Sequence, residues 1–354
     1  MATTTSFDGH HIYAGLDIGK SSWKVCILTE HVEHKTFTQP PSVGVLVQYL
    51  KRNFPGATYH CVYEAGCFGF WIHDQLVREG IECLVVNPAD VPSTNKDTTH
   101  KNDRIDARKL ARSLRSGDLK SIYVPSRTAC EDRSLIRSRH LLVIKQTRCK
   151  NQIKALLRFY GIEIPEDLND YNWTRRFITW LQDISFESDS GNQSLRIFIK
   201  ELLYLRECIL EMTKTVRNLA HEQCFWINVR NLITIPGISI LTAMTFLTEL
   251  VELDRFKTLD QLASYVGLVP GEHSSGEREI ITGITRRQNA ALRSALIESA
   301  WIAARKDPAL LLAFNNLAKR MPKNQAIIRI ARKLLNRIRY VLKNQQPYSI
   351  AVVN

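Results

Sequence analysis

The sequence predicts an α/β domain followed by a remainder that is mainly all-α. Before residue 126, short apolar segments typical of strands alternate with helical periodicities, and after residue 127 the spacing of apolar residues becomes helical. A length of 354 residues is enough for two or three domains with their own cores. We therefore predict three parts, over residues 1–126, 127–225 and 226–354.

The first part begins with three strands and then alternates helices with strands. The predicted strands are short segments over 12–19, 23–28, 33–38, 59–63 and 82–86, the first three forming a meander. The predicted helices carry apolar residues on one face, over 42–53, 68–79 and 103–115. Gly80 and Gly117 close the last two helices. This order of elements is typical of a ribonuclease-H-like sheet.

The second part is predicted to consist of long helices. Mostly apolar residues recur at a spacing of seven, at Leu135, Leu142, Cys149 and Leu156. This spacing predicts a long helix that can pair with another, and residues 127–158 contain nine Lys or Arg against two acidic residues. Residues 187–193 read as a loop, and residues 195–218 as a second amphipathic helix. The part is either a solvated connector or an arm that dimerises and lies along nucleic acid.

The third part combines a Pro-Gly turn with a strongly basic stretch. The segment 232–238 contains Pro236-Gly237 and precedes an apolar helix, which is similar to a helix–hairpin–helix in which turn amides bind a phosphate. An ordinary turn between helices is the alternative. Residues 286–343 contain fourteen Lys or Arg and two acidic residues. This density favours phosphate binding over a merely solvated face.

Composition narrows the class of protein. With 48 Lys and Arg against 35 Asp and Glu, the net charge is +13, which favours an acidic polymer or membrane surface as partner. No apolar run approaches the ~18–20 residues that cross a bilayer, and the N-terminus lacks a signal pattern, so we expect a cytoplasmic protein without a membrane partner. The eight cysteines form no Cys-x-x-Cys pair, and neither a P-loop nor a dinucleotide-binding motif occurs. A metal ion, if bound, would need carboxylate ligands.

Four carboxylates are placed where they could hold such an ion. Asp17 and Glu64 end predicted strands, and Asp103 and Asp106 lie three residues apart at the start of a predicted helix. Clustered carboxylates repel each other unless a cation neutralises them. Mg²⁺ prefers such oxygen ligands, and two ions about 4 Å apart can stabilise both the attacking and the leaving oxygen of a phosphodiester. Taken singly, each acid is better explained by a structural role: a helix cap for Asp103, a surface ion pair for Asp106, a strand end for Glu64 and a turn beside Gly19 for Asp17.

A second candidate site is the Ser-Ser-Gly sequence within residues 267–277. The small residues around Ser274 and Ser275 would let a phosphate approach closely. A serine hydroxyl becomes a good nucleophile when a base or metal assists loss of its proton. An ordinary turn is the alternative for this segment.

Together these motifs closely resemble the DEDD-type transposases of insertion sequences, the insertion-sequence-110 family. The motifs that carry the resemblance are Gly15–Lys20, Tyr63–Gly66, Val86–Pro88, Lys101–Ala111, Ile235–Ile238, Tyr265–Pro270, Ser274–Gly276 and Ile284–Arg286, then Asn289 with Leu292-Arg293. They occur in the family's order over roughly residues 12–310. A series of spaced motifs in two domains is far more specific than any one of them.

The resemblance implies a RuvC-like N-terminal domain, a helical coiled-coil linker and a C-terminal transposase domain. It implies a recombinase that cuts and rejoins donor and target DNA through a covalent phosphoserine, guided by a noncoding bridge RNA. The implied Mg²⁺ ligands are Asp17, Glu64, Asp103 and Asp106, and the implied nucleophile is Ser275, with Ser274 the second choice. The carboxylates and the serine are expected to meet across protomers, in a homodimer or a dimer of dimers.

Arginines that follow the serine are candidates for binding nearby phosphates, namely Arg286, Arg287 and Arg293. The family often has Lys-x-Gly-Asn where this chain has residues 286–289, and Gln288 enters a left-handed turn less readily than Gly. Asn102 can cap the helix that begins with Asp103, in place of the family's Thr.

Other functions fit the sequence less completely. A RuvC-like, structure-selective nuclease that uses water would share the four acids but would not need Ser275. A sugar-kinase-type ATPase would need a second phosphate loop, which this sequence lacks. A tyrosine recombinase using Tyr340 would need an upstream His-x-x-Arg element, which is also missing. A non-enzymatic nucleic-acid scaffold would leave the carboxylates unexplained.

Overall fold

The computed structural model describes residues 6–92, 103–168, 172–275 and 278–350. For residues 103, 104, 272–275 and 278–282 the description covers the backbone alone. The chain divides into two compact units, Met1–Pro125 and Ser126–Asn354. The division of the second unit into residues 127–225 and 226–354 stays a prediction.

The first unit is a five-stranded mixed sheet with helices. In chain order its elements are β1 (His11–Ile18), β2 (Trp23–Leu28), β3 (Glu33–Gln39), α1 (Val43–Asn53), β4 (Thr58–Glu64), α2 (Trp71–Arg78), β5 (Glu82–Val86) and α3 (Asp103–Ser116). The strand order is β3-β2-β1-β4-β5. β2 pairs with β1 and β3 in antiparallel direction, and β4 pairs with β1 and β5 in parallel direction. The α/β prediction for the N-terminal part is thus confirmed, element by element.

Opposite faces of this sheet are covered by different helices. Ile12, Ala14 and Leu16 of β1 are buried in one core together with residues of α1 and α2. On the other face, α3 lies directly on β1: a Cβ atom built on Gly15 would be 2.1 Å from the Ala107 carbonyl oxygen and 2.4 Å from the Ala111 nitrogen. Only glycine permits this approach, because a Cβ atom needs more than 3 Å to any heavy atom.

The second unit begins with two long helices that pack against each other. They are α4 (Arg127–Phe159) and α6 (Asp189–Ala220), with α5 (Arg175–Asp183) between them in the chain. Arg139 donates a hydrogen bond to the Thr213 hydroxyl, and the Cys149 thiol donates one to the Phe198 carbonyl. Because the later residue of α4 contacts the earlier residue of α6, the two helices run antiparallel. The predicted helices are confirmed, while pairing with a second chain as a coiled coil stays a prediction.

The loop predicted over residues 187–193 is wrong, because α6 already begins at Asp189. Polar residues there form the first turns of the helix. The negative charge of Asp189 stabilises the N-terminal end of the helix, where the helix dipole is positive. The Asn192 side chain accepts a hydrogen bond from the Phe186 amide at 2.8 Å and fixes the entering chain.

In the rest of the second unit, the described residues form helices, one hairpin and the segments that connect them. Its elements are α7 (Gln223–Leu232), α8 (Ile240–Leu250), α9 (Leu259–Val266), β6 (Pro270–Ser275), β7 (Arg278–Ile284), α10 (Ala290–Lys306), α11 (Pro308–Ala318) and α12 (Lys323–Asn344). These helices share one core, to which α12 contributes a stripe that includes Ile330, Leu334 and Ile338. Among the described residues, no helix is both long and apolar enough to span a membrane.

Candidate active site

Two of the predicted metal ligands lie at the carboxyl ends of neighbouring parallel strands. Leu16 of β1 is in register with Tyr63 of β4, so the residues that follow, Asp17 and Glu64, lie side by side at the ends of these strands. Asp17 itself pairs with Lys24 of β2, and Glu64 with Val86 of β5. Both acids are partly buried. The edge of the sheet thus brings together residues that are 47 positions apart.

Both acids also belong to the face that α3 covers. Successive strand residues alternate between faces, so Asp17 shares the face of Gly15, and Glu64 that of Val62. Gly15 lies under α3, and Val62 is buried in one cluster with Leu110 of the same helix.

The direction of α3 places its first turn at the same edge. At its far end, Arg115 donates to the Thr29 carbonyl, just beyond Leu28, which is paired with Tyr13 near the start of β1. Since Ala107 lies on Gly15, the helix runs antiparallel to β1 and begins where the strand ends. Asp106, one residue before Ala107, is partly buried at this end.

An ion pair fixes α3 across the sheet. Arg108 contacts Glu33 of β3 at 2.7 Å, and Arg112 contacts it at 3.7 Å. Burial alone would raise the pKa of Glu33, but hydrogen bonds from Arg108 and Thr36 and the two guanidinium charges lower it. The charged pair therefore holds the helix that carries Asp106.

The donor chemistry at this edge suits a hard cation. Carboxylate oxygens are the ligands that Mg²⁺ prefers, and Asp17, Glu64 and Asp106 share one edge and one face. The fourth predicted ligand, Asp103, begins α3, and its side chain lies outside the described residues. Among the side chains that are described, no three His, Cys, Asp or Glu residues are arranged to hold a metal ion. The complete ligand set therefore stays a prediction.

The predicted nucleophile lies on the hairpin, which the sequence did not predict. Ser274 pairs with Glu279 and Ser275 with Arg278, so Ser275 is the last residue of β6, at the tip. The side chains of both serines lie outside the described residues. At the base, Pro270 pairs with Ile284, and a bulge follows at Gly271.

Arg293, predicted to bind phosphate, is engaged at the base of the hairpin. Its Nη1 donates to the Gly267 carbonyl at 3.0 Å and to the Thr285 carbonyl at 2.7 Å. The side chain is partly buried, and this burial lowers the pKa of the guanidinium. Arg286 and Arg287 are exposed between β7 and α10. Phosphate binding by these three arginines stays a prediction.

The predicted phosphate turn is pressed against a helix. Gly237 has a φ of 92°, and a Cβ atom there would be 2.4 Å from the Ser299 carbonyl oxygen of α10. The Ile238 amide donates to the Ile235 carbonyl at 3.0 Å and closes the turn. Glycine is therefore required here by packing as well as by backbone conformation.

A buried carboxylate near the hairpin was missed by the sequence analysis. Glu249 of α8 is 1% exposed and accepts two hydrogen bonds from Arg137, at 2.6 and 2.8 Å, and one from Asn289, at 2.7 Å. Burial would raise the pKa of Glu249, but the bonds from Arg137 and Asn289 and the Arg133 charge lower it. The sequence feature that could have indicated it is that Glu249 is the single charged residue of α8, whose other residues are apolar or neutral.

Two family models match the chain in separate segments. The model for DEDD transposases of the IS110 type, described as a transposase, matches residues 14–162, which include the four predicted metal ligands. The model described as the transposase IS116/IS110/IS902 family matches residues 229–314, which include Gly237, Ser275 and Arg293.

The chain is also similar to named proteins over much of its length. It is 33% identical over 243 residues to the protein y4qE of Sinorhizobium fredii, provisionally named a transposase; the match covers 69% of this chain and 58% of y4qE. It is 27% identical to the transposase for insertion sequence element IS1111A of Coxiella burnetii, over 94% of this chain and 90% of that one. It is 25% identical to the pilin gene-inverting protein of Moraxella lacunata, over 95% and 97%.

Both family models and the first two of these relatives are named for transposition, which supports the assignment of a DNA-transposing enzyme. The chain is therefore similar, in two separate segments, to transposases of the IS116/IS110/IS902 and DEDD IS110 types.

Proposed function

We propose that this chain is the transposase of an insertion sequence and that it cuts and rejoins DNA strands by serine attack on a phosphodiester. The observation that carries the proposal is the arrangement at the sheet edge, where Asp17 and Glu64 lie at the ends of adjacent parallel strands and Asp106 lies in the first turn of the helix that covers the same face. Carboxylate oxygens are the ligands that would hold a divalent cation against a phosphate.

The chemistry proposed for Ser275 is a pair of balanced transfers. Its Oγ attacks the phosphorus, the bond from phosphorus to the 3′ oxygen breaks, and the serine proton passes to that oxygen. A 3′ hydroxyl of the other DNA then attacks the phosphoserine, the bond to Oγ breaks, and the proton returns to Ser275. Bond energy is conserved throughout, so the reaction needs no ATP, in agreement with a sequence that lacks a P-loop.

The four carboxylates, Asp17, Glu64, Asp103 and Asp106, would hold Mg²⁺. When bound, the ion would supply charge neutralisation at the phosphate and at the leaving oxygen. The side chains of α3 and the ends of β1 and β4 would fix the orientation of the phosphate. Because the resemblance implies that carboxylates and serine from different protomers act on one phosphodiester, we also propose a homodimer or a dimer of dimers.

Cation clusters on the long helices support contact with nucleic acid. Burial, and then the neighbouring Arg217, lowers the pKa of Arg139. Burial, and then Arg206 and Lys154, lowers the pKa of Lys150. Lys150 lies eleven residues beyond Arg139 on α4, a distance of roughly 16 Å along a helix. Phosphates at this spacing would relieve the repulsion within each cluster.

Guidance by a bridge RNA rests on the family resemblance, and the basic surface supports a second nucleic acid in the complex. Base pairing would then choose the sequence, while the protein contacts phosphates and shape.

The alternative is a RuvC-like nuclease that uses water and no covalent intermediate. The name of the Moraxella lacunata relative, a gene-inverting protein, favours rejoining over hydrolysis for that relative, and by similarity for this chain. The alternative shares every carboxylate but gives Ser275 no chemical role.

The experiment that separates the two traps the covalent adduct. Purified protein is incubated with labelled donor and target DNA, Mg²⁺ and the noncoding RNA of its element, then denatured. We expect a labelled protein–DNA adduct from the wild type and from Ser274→Ala, and none from Ser275→Ala. Asp17→Asn should abolish the adduct as well. Cleavage by Ser275→Ala at the wild-type rate without an adduct would instead support the nuclease.

A further inference from the structure

The two chain segments at the base of the serine hairpin are tied together by one side chain. Gly267 immediately precedes the segment that enters β6, and Thr285 immediately follows β7. Nη1 of Arg293 donates to the carbonyls of both residues, at 3.0 and 2.7 Å. The Thr285 amide also donates to the Val269 carbonyl at 3.0 Å, which extends the pairing below the hairpin. Arg293 thus closes the base as a clamp.

The segment that leaves the hairpin is anchored a second time by Asn289. Its amide nitrogen donates to the Tyr265 carbonyl at 3.1 Å, and its Oδ1 accepts from the Leu292 amide to cap α10. The remaining group, Nδ2, donates to Oε2 of Glu249 at 2.7 Å. One side chain therefore begins the helix and binds a buried carboxylate.

Glu249, which accepts a hydrogen bond from the Asn289 side chain, is itself held in place by hydrogen bonds from two other residues. Arg137 of α4 binds both carboxylate oxygens, and the Tyr265 hydroxyl donates to the Glu249 carbonyl at 3.2 Å. A buried carboxylate held by charged partners has a fixed position, since leaving any partner unpaired costs free energy.

We propose that Arg293 and Asn289 are positioning residues that fix the base of the hairpin and so aim Ser275 at the phosphate. The inference rests on the proposed role of Ser275 as nucleophile. The physical reason is leverage: Ser275 lies at the tip, five residues beyond Pro270, so a small rotation at the base becomes a larger displacement of the hydroxyl. Misplacement of a reacting atom by about 1 Å can cost about 100-fold in rate.

This role differs from phosphate binding in a measurable way. A residue that binds a DNA phosphate weakens DNA affinity when replaced, and lowers the slope of log affinity against log salt concentration by about 1. A positioning residue leaves affinity and slope unchanged and slows the chemical step. The distinction needs both measurements on the same variant.

The test uses Arg293→Met, which removes the clamp, and compares it with Arg286→Met, which removes an exposed, predicted phosphate ligand of the same segment. At saturating DNA we expect Arg293→Met to form the covalent adduct at least 10-fold more slowly. The DNA dissociation constant and its salt slope should stay at the wild-type values. Hydrogen exchange at the Thr285 amide should become faster in Arg293→Met and stay unchanged in Arg286→Met.

Asn289→Ser provides a second variant that keeps the helix cap. Serine can still accept the Leu292 amide, but it lacks the donor that binds Glu249. We expect the adduct rate to fall several-fold with unchanged DNA affinity. This variant keeps the proposal falsifiable should Arg293→Met fail to fold.

Three outcomes overturn the inference. An adduct rate equal to the wild type in both variants does so, and so does a loss of DNA affinity with a salt slope lowered by about 1 in Arg293→Met. A wild-type protein that forms no adduct at Ser275 overturns the proposed function and this inference together, so the two failures are distinguishable.

Discussion

Replacing Gly15 by alanine is expected to displace α3 and with it the carboxylate edge. The added Cβ atom would lie 2.1 Å from the Ala107 carbonyl oxygen, whereas ordinary contacts begin at 3.4 Å. Relief therefore needs a shift of about 1 Å, and the atoms in the way belong to backbone that has no rotamer to change. Overpacking of this kind costs about 3 kcal/mol.

The assay has two parts, stability and activity. Native-state hydrogen exchange at the amides of β1 should report the loss of about 3 kcal/mol, at the upper end of the range for overpacked cores. Adduct formation should fall at least 100-fold, because Asp106 moves with the helix away from Asp17 and Glu64.

A matched control is Gly44→Ala, inside α1 of the same unit. Its nearest neighbour beyond the adjoining residues is the Ser42 hydroxyl at 3.8 Å, so a methyl group fits. Alanine should stabilise this helix by about 0.5–1 kcal/mol and leave activity unchanged. If Gly15→Ala retained wild-type exchange and activity, the close approach of α3 to β1 would be refuted.

Three further predictions concern the second unit. Burial is the larger and the hydrogen bond to Asp307 the smaller cause that raises the pKa of Tyr348 to about 12. The protonated hydroxyl therefore stabilises the folded state. This stabilisation is complete below pH ~10 and is lost as the pH rises through about 12. Tyr348→Phe should therefore cost about 1–2 kcal/mol at neutral pH and flatten that alkaline loss in urea unfolding. The pKa of Glu249 is lowered, so its stabilisation is present above pH ~4.3 and is lost as the pH falls through the folded-state pKa. Glu249→Gln should unfold about 2 kcal/mol more easily at pH 7, with a smaller difference in acid, and an unchanged acid profile would contradict the network. Arg217→Gln should lower the salt slope of DNA binding by about 1, and an unchanged slope would remove this cluster from the interface.

The sheet could be predicted because its information is local. Segments of five to eight residues between turn residues form β1 to β5, and all of them except the polar β3 are largely apolar. The glycines at 80 and 117 lie where α2 and α3 have ended. The positions of Asp17 and Glu64 at strand ends follow from the same pattern. The parallel pairing of β1 with β4 brings the two acids side by side. This pairing joins strands that are distant in the chain, so the local pattern of the sequence does not determine it.

The hairpin could not be predicted, for a physical reason. Its β6 sequence, PGEHSS, has a Pro, a Gly and a Glu, all residues that are depleted in strands. Its form is supported at the base by Arg293 and by the Thr285–Val269 hydrogen bond, which are contacts between segments distant in the chain. Tertiary contacts here override local propensity, as is expected at a functional site.

The same principle changes how the basic C-terminal stretch is understood. A count of fourteen cations over residues 286–343 predicts phosphate binding as if each were available. Several have internal partners: Arg293 holds two carbonyls, Arg332 pairs with Asp260, and Arg337 pairs with the buried Asp307. Such cations stabilise the helices they join and contribute to the long-range field, but they are poor candidates for direct contacts, since each would exchange an existing bond for a phosphate. Specific DNA affinity in this unit should therefore depend on fewer residues than the charge suggests, and the cations that hold the hairpin should govern the rate of strand transfer instead.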